Sequence, residues 1–179
     1  SFGETSHGNG PAAFAMSVRL AEGPLAVSWQ HASATCEFLG DVFAMRCARD
    51  GFDYTEARHS IIYLVNELLE NAIKFRSPGD ISIDCSFEDG NFEITVTNHA
   101  AAGVAQRFQE LLAEVTSRDP GEMLIERIEA NAADESSSAS GLGILTLMND
   151  YGARLGWRFG DAAPDGHVLL STHAALTIH

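Results

Sequence analysis

Three polar side chains in residues 63–75 have the types and the spacing to do chemistry. Glu67 and Asn71 are four residues apart and Lys74, the only lysine of the chain, follows three residues later, so all three lie on one side of a helix. Such a row suits a magnesium–phosphate complex, with the carboxylate as base, the amide oxygen as a hard ligand for Mg²⁺ and the ammonium on phosphate oxygens. The alternative is a solvated helix face on which Glu70 and Lys74 form a salt bridge.

A second candidate site is the sequence Ser-Gly-Leu-Gly-Ile-Leu, in which Gly141, Leu142 and Gly143 open a predicted helix. Bare backbone N–H groups and the positive end of a helix dipole bind phosphate at such a position. The preceding Ala-Asp-Glu-Ser-Ser-Ser-Ala-Ser predicts a mobile loop. The stretch has neither the Gly-Lys-Ser/Thr of a P-loop nor the spacing of a dinucleotide fingerprint. A tight turn without a ligand is therefore the alternative.

The overall composition restricts the classes of partner. A formal net charge of −14 opposes approach to nucleic acid or to an anionic membrane surface, so we expect neither. Cys36, Cys47 and Cys85 form no Cys-x-x-Cys pair, which favours buried, reduced thiols over a disulfide framework or a zinc site. The sequence shows no basic-then-apolar leader and no apolar run of about twenty residues. We therefore expect a cytoplasmic protein.

Periodicity predicts the elements that position these residues. Residues 1–12 are predicted to be a flexible terminus, and residues 13–179 a single domain. Blocks of helices alternate with antiparallel strands, which predicts a two-layer α/β (α+β) sandwich rather than a parallel doubly wound sheet. The predicted elements are a hairpin or two edge strands (13–20 and 25–30), helices (32–49 and 55–75), a hairpin (81–87 and 92–97), helices (103–117, 120–131 and 142–151) and a closing hairpin (154–159 and 168–178).

Four aromatic residues are predicted to have structural roles. Trp29 and Trp157 fall in strand-like segments and are interpreted as core or sheet-edge residues. Phe87 and Phe92 flank one predicted turn, so we expect them to pair across the two strands. None of the four is assigned to a site.

The order of the motifs resembles the GHKL superfamily of ATP-binding domains, which includes histidine kinases, DNA gyrase and anti-sigma serine kinases. The sequence Asn-Glu-Leu-Leu-Glu-Asn-Ala-Ile-Lys-Phe resembles the N box of that superfamily. The resemblance implies that Glu67 is the general base, Asn71 the Mg²⁺ ligand and Lys74 a phosphate contact, with ATP and Mg²⁺ as cofactors. It also implies a Bergerat-type fold, in which a mixed, largely antiparallel sheet is covered by helices on one face.

The glycine-containing motif and the strand before it complete the resemblance. Ser-Gly-Leu-Gly-Ile-Leu is similar to the G2 box, with Gly141, Leu142 and Gly143 matching and Ala139 standing where a further glycine is usual. Asn98 stands where the superfamily has an aspartate that accepts the adenine amino group, and the glycines that follow that aspartate are lost or displaced. An asparagine oxygen still accepts a hydrogen bond, but it is neutral and weaker.

The chain is most similar to the SiaB-like bacterial family, with the anti-sigma serine/threonine kinases as broader relatives. The resemblance implies partner-switching signalling, in which ATP phosphorylates a Ser or Thr of a small STAS-type antagonist or another signalling protein. A homodimer is left open. One rival is a degenerate GHKL module that only binds a partner or senses nucleotide. A detached histidine kinase catalytic domain ranks last, because none of the seven histidines sits in an H box.

Overall fold

The structure is a computed structural model that describes residues 1–3, 14–22, 29–133, 142–164 and 166–179. The predicted loop over residues 134–140, Gly141 of the glycine motif, and most of the predicted flexible terminus lie outside these residues. The described elements are, in chain order, β1 (Phe2–Gly3), β2 (Phe14–Leu20), α1 (Trp29–Arg49), α2 (Tyr54–Phe75), β3 (Ile81–Glu88), β4 (Asn91–Ala101), α3 (Ala102–Val115), α4 (Pro120–Ala133), α5 (Leu142–Asn149), β5 (Arg154–Ala162) and β6 (His167–Thr177).

The six described strands form one sheet in the order β1-β5-β6-β4-β3-β2. Every described pairing is antiparallel, so this sheet is antiparallel, and the prediction of a mixed sheet is wrong. The reason is the closing hairpin: β4 and β5 run in the same direction, but β6 is inserted between them and pairs with both. The coarser prediction, an α+β arrangement of helices packed on a largely antiparallel sheet, is confirmed.

The central hairpin follows its sequence pattern closely. Side chains of β3 and β4 alternate between buried and less buried positions, as expected when one side of a sheet meets a core. Phe87 and Phe92 lie directly opposite each other, which confirms the predicted pair. Asp89 and Gly90 make the turn with φ angles of 47° and 79°, a combination that two-residue hairpins favour. Phe43 of α1 packs its ring 4.9 Å from that of Phe92 and so joins the helix layer to the sheet.

Helix α2 carries the first predicted site and is firmly anchored. The Asp53 side chain caps its first turn by accepting a hydrogen bond from the Glu56 backbone N–H at 2.8 Å. Pro78, shortly after its last residue, prevents the helix from continuing. Its buried side chains recur every three or four residues and face α1 and the sheet: they are Ala57, Ile61, Leu64, Val65, Leu68, Leu69 and Ala72.

The first predicted pair of strands is partly correct, since β2 lies at one edge of the described sheet, as the edge-strand interpretation expects. Residues 14–20 do form a strand, but β2 pairs with β3, and Trp29 is the first residue of α1 rather than part of a strand. Residues 23–28 lie outside the described part. A further short strand that the sequence did not predict, at Phe2 and Gly3, pairs with β5. The hairpin was inferred from neighbouring apolar runs, whereas the actual partner of β2 is distant in sequence.

The three cysteines and Trp157 are buried, as the sequence predicted. Cys36, Cys47 and Cys85 are free and buried, which confirms the prediction, and burial raises their thiol pKa values to about 12, about 11 and about 12. Trp157 is also buried in β5, as expected. Within the described residues, no helix combines the length and apolar character needed to cross a bilayer.

Candidate functional site

An apolar cavity lies between α2, α3 and the sheet, with one wall residue, Ile144, from α5. Aliphatic and aromatic side chains make most of its lining, including Phe108 of α3 and Trp157 of β5. The polar side chains that line it are Asn71, Asn98 and Thr172. An enclosed apolar space with a few convergent polar groups is the usual form of a small-molecule site.

The cavity brings together two residues that the sequence assigned to nucleotide binding. Asn71 reaches it from α2, while Asn98 reaches it from the helix-facing side of β4, where only 3% of its surface is exposed. The Asn98 side-chain Nδ2 donates a hydrogen bond of 3.1 Å to the carbonyl oxygen of His99. Because the amide nitrogen is used in this way, its oxygen is the group left to accept a hydrogen bond from a ligand.

Glu67 meets the glycine motif directly. A Cβ atom added to Gly143 would overlap the Glu67 carboxylate, so a larger residue at this position would have to displace that carboxylate. Burial, and secondly the charge of Glu70, raises the pKa of Glu67 above its ordinary value. A carboxylate with a raised pKa accepts a proton more readily near neutral pH, which suits a general base.

The remaining predicted residues lie outside the cavity. Lys74 is exposed, and its Nζ atom lies 5.1 Å from the centre of the Phe75 ring. Glu70 accepts a hydrogen bond of 3.0 Å from Asn66, and none of the ion pairs among the described residues joins it to Lys74. Leu142 is partly buried against the core. The structure therefore separates the predicted row on α2, since Glu67 meets α5, Asn71 lines the cavity and Lys74 is solvated.

Sequence reasoning missed the aromatic residues around the site. Phe108 packs edge-on against Trp157, with ring centres 6.2 Å apart and planes at 89°. Tyr63 stacks on Tyr151, with ring centres 4.7 Å apart and planes at 10°. Tyr63 stands one helical turn before Glu67, and this spacing was the one signal that could have drawn attention to it.

The donor atoms fit a magnesium nucleotide, but the volume does not fit its base in this closed arrangement. Mg²⁺ in nucleotide sites takes one or two protein ligands beside phosphates and waters, so the Asn71 amide suffices in principle. Among the described residues, no group of three or more His, Cys, Asp or Glu side chains is placed to hold a metal by itself. The space open to the centre of a water molecule is about 20 Å³, which is room for roughly one water. A purine would enter only if α3 and Phe108 moved outward.

Comparison with known proteins found no match to this chain. The chain matches none of the protein families, curated proteins or solved structures with which it was compared. The likeness to the GHKL superfamily therefore rests on the residues of the motifs alone.

Proposed function

We propose that this protein is a GHKL-type regulator that binds ATP with Mg²⁺ and phosphorylates a Ser or Thr of a small STAS-type signalling partner. The observation that carries the proposal is the convergence at one cavity. Asn71 and Asn98 line it together, and Ile144 lines it beside Gly143, which itself contacts Glu67. Residues distant in the sequence thus meet at or beside one cavity, which supports a shared ligand site.

Each residue then has one role. Asn71 holds Mg²⁺ through its side-chain amide oxygen. The side-chain oxygen of Asn98 accepts a hydrogen bond from the amino group of the base. Glu67 accepts the proton of the Ser or Thr hydroxyl, which its raised pKa favours. The backbone N–H groups around Gly143 face phosphate, and Lys74 approaches it from the solvated rim. When bound, ATP supplies the phosphoryl group and Mg²⁺ neutralises its charge.

A second candidate function is a module that binds its partner without transferring phosphate. Two observations favour it: the cavity has room for only about one water molecule, and the neutral Asn98 stands where a carboxylate would bind the base more strongly. In this case α2 and α5 would form a fixed structural unit, and the partner would be recognised by the surface of the protein alone.

Calorimetric titration of ATP and ADP, each with and without Mg²⁺, separates the two candidates. We expect magnesium-dependent binding to the wild type and its loss in Asn71→Ala, because that substitution removes the metal ligand from the cavity. Asn66→Ala is the matched control: Asn66 is a half-buried amide on the same helix that hydrogen-bonds Glu70 outside the cavity, so this variant should bind as the wild type does. Circular dichroism of all three proteins checks that they are folded.

Incubation with ATP, Mg²⁺ and a STAS-type protein completes the test. The wild type and Asn66→Ala should place phosphate on a Ser or Thr of the partner, and Asn71→Ala should not. Binding without transfer would favour a nucleotide-sensing module. Absence of binding to the folded wild type at millimolar nucleotide would overturn the proposal and leave the partner-binding module as the better account.

A further inference from the structure

Three contacts in succession join α2 to the segment containing α5. Glu67 meets Gly143 at one end. One turn earlier on α2, the Tyr63 hydroxyl lies near the Thr146 side chain, one turn later on α5. The Tyr63 ring then stacks on Tyr151 beyond the end of α5. Because the partners run in opposite order along the two helices, α5 lies antiparallel to α2 at this junction.

Tyr151 is itself fixed in place, so it offers a defined surface to Tyr63. Its hydroxyl lies 3.4 Å from Nε2 of His59, on the turn of α2 before Tyr63. Backbone hydrogen bonds close the end of α5 on both sides of it, from the Asp150 N–H to Thr146 at 2.8 Å and from the Ala153 N–H to Leu147 at 2.9 Å. The stacked pair therefore connects two anchored segments.

Helix α5 depends on such contacts for its position. It has eight residues, and a helix of this length is not stable alone in water, so tertiary packing decides where it lies. Its buried side chains, Ile144, Leu145 and Leu147, hold it against the core, but apolar packing fixes position along the helix axis less sharply than a stacked pair of rings. The stack of Tyr63 on Tyr151 supplies that register.

Tyr63 also lies close to the carboxylate whose position it would set. Its pKa is raised, first by burial and secondly by the negative charge of Glu67. The two side chains are also four residues apart on α2 and so are neighbours on the helix surface, and we expect removal of the ring to expose the carboxylate to more water.

We propose that Tyr63 is a positioning residue whose ring stack on Tyr151 holds α5 in the register where Gly143 meets Glu67. This inference deepens the proposed function and rests on it for its biological meaning, since Glu67 and Gly143 would serve the transferred phosphate. The contact itself is a property of the free protein and is tested there.

The first test uses the full chain without nucleotide. Nuclear magnetic resonance would follow the amide signal of Gly143 and the pH titration of the Glu67 carboxyl in the wild type, Tyr63→Phe and Tyr63→Ala. In Tyr63→Ala we expect the Gly143 signal to shift and the Glu67 pKa to fall toward its ordinary value, because the carboxylate becomes hydrated. Tyr63→Phe keeps the ring and should largely restore the wild-type titration, a rescue that general loss of stability would not produce.

Two controls keep this test decisive. Tyr54→Ala removes a tyrosine from the same helix, but Tyr54 is exposed and hydrogen-bonds Asp41 at 3.1 Å, so neither signal should change. Tyr151→Ala removes the other ring of the stack without altering α2, and it should shift the Gly143 signal and lower the Glu67 pKa even if Tyr63→Ala does not fold. Unchanged Gly143 and Glu67 signals in Tyr151→Ala and in folded Tyr63→Ala would overturn the positioning role.

Titration of Mg²⁺ and ATP into the same variants separates this inference from the proposed function. If the wild type binds, Tyr63→Ala should bind roughly 10- to 100-fold more weakly, the scale of loss expected from a small misplacement of site groups. Equal affinity of the wild type and Tyr63→Ala would overturn the role. If the wild type does not bind, the proposed function fails, while the nuclear magnetic resonance signals still decide whether Tyr63 sets the contact.

Discussion

The two helices that enclose the cavity are held in place to different degrees. Seven residues of α2 are buried and Asp53 caps its first turn, so both its length and its start are fixed. Helix α3 buries only Ala105, Leu112 and Val115, and it begins after Ala101 with no side-chain hydrogen bond to its first turn. The cavity therefore has one firmly anchored wall and one weakly anchored wall.

The polar side chains from α2 lie on the anchored wall, and a large aromatic side chain lies on the other. Glu67 and Asn71 project from α2, whereas Phe108 of α3 lines the cavity and packs edge-on against Trp157. Groups that must meet a ligand within fractions of an ångström need a rigid support, while a part that must open is drawn from the less stable regions of a fold. This division suits a site that opens on one side only.

The largest expected change in the free energy of unfolding comes from truncating one packed side chain on each of the two walls. Leu69 is completely buried on α2, so Leu69→Ala should lower the free energy of unfolding by about 3 kcal/mol. Phe108 is only partly buried, so Phe108→Ala should cost about 1–2 kcal/mol despite its larger side chain. Urea unfolding of the two variants measures the difference.

Phe38→Ala is the control for this pair, since Phe38 is 51% exposed on α1 and its truncation should change stability by less than about 0.5 kcal/mol. If Phe108→Ala lowers the free energy of unfolding as much as Leu69→Ala does, α3 is as firmly anchored as α2 and the two walls do not differ. A smaller cost for Phe108 would agree with a wall that can move outward.

The helix caps provide a test of intermediate size. Asp53→Ala removes the hydrogen bond to the Glu56 N–H and should cost about 1 kcal/mol. Ala101 already has the backbone angles of a capping residue, φ −64° and ψ 142°, so Ala101→Ser should stabilise the protein by about 0.5 kcal/mol. Thermal unfolding of both variants measures the two changes. A cost for Ala101→Ser would show that the start of α3 is held by contacts other than a cap.

Local patterns were sufficient to predict the elements that are long or strongly periodic. The leucine and alanine spacing of α2 predicted a helix and its buried side, and the alternation around Asp89 and Gly90 predicted a hairpin with its Phe87–Phe92 pair. The convergence of Asn71 and Asn98 followed from the resemblance rather than from periodicity. Each of these features depends on residues that are close in the chain or on a motif that stands whole in the sequence.

Features that depend on distant partners were not predictable in this way. The pairing of β2 with β3 joins segments separated by two helices, and the insertion of β6 between β4 and β5 decides that the sheet is antiparallel. Helical spacing alone placed Glu67, Asn71 and Lys74 in one row. The rotation about the helix axis between these positions nevertheless turns their side chains apart: Glu67 faces α5, Asn71 faces the cavity and Lys74 faces the solvent. Which direction is buried depends on α3 and α5, and no local pattern of α2 contains their positions.

The smallest effect expected concerns the charge of Glu67 on the anchored wall. Its folded-state pKa is raised by burial and then by Glu70, so the folded protein keeps this proton to higher pH than the unfolded chain does. Stability therefore falls as pH rises from the ordinary glutamate pKa through the raised value. Glu67→Gln should be more stable than the wild type at about pH 7 and lose that advantage near pH 4.

Glu126→Gln is the control of opposite sign for this measurement. Hydrogen bonding from Arg118 lowers the pKa of Glu126, so its ionised form favours folding and its contribution is lost as pH falls through the lowered value. Glu126→Gln should thus be slightly less stable than the wild type at neutral pH and equal to it in acid, and salt should weaken this exposed pair. Urea midpoints of the three proteins across this pH range give both signs. If Glu67→Gln showed no advantage at neutral pH, the carboxylate beside Gly143 would be as well hydrated as one on the surface, and α5 would not close over α2 there.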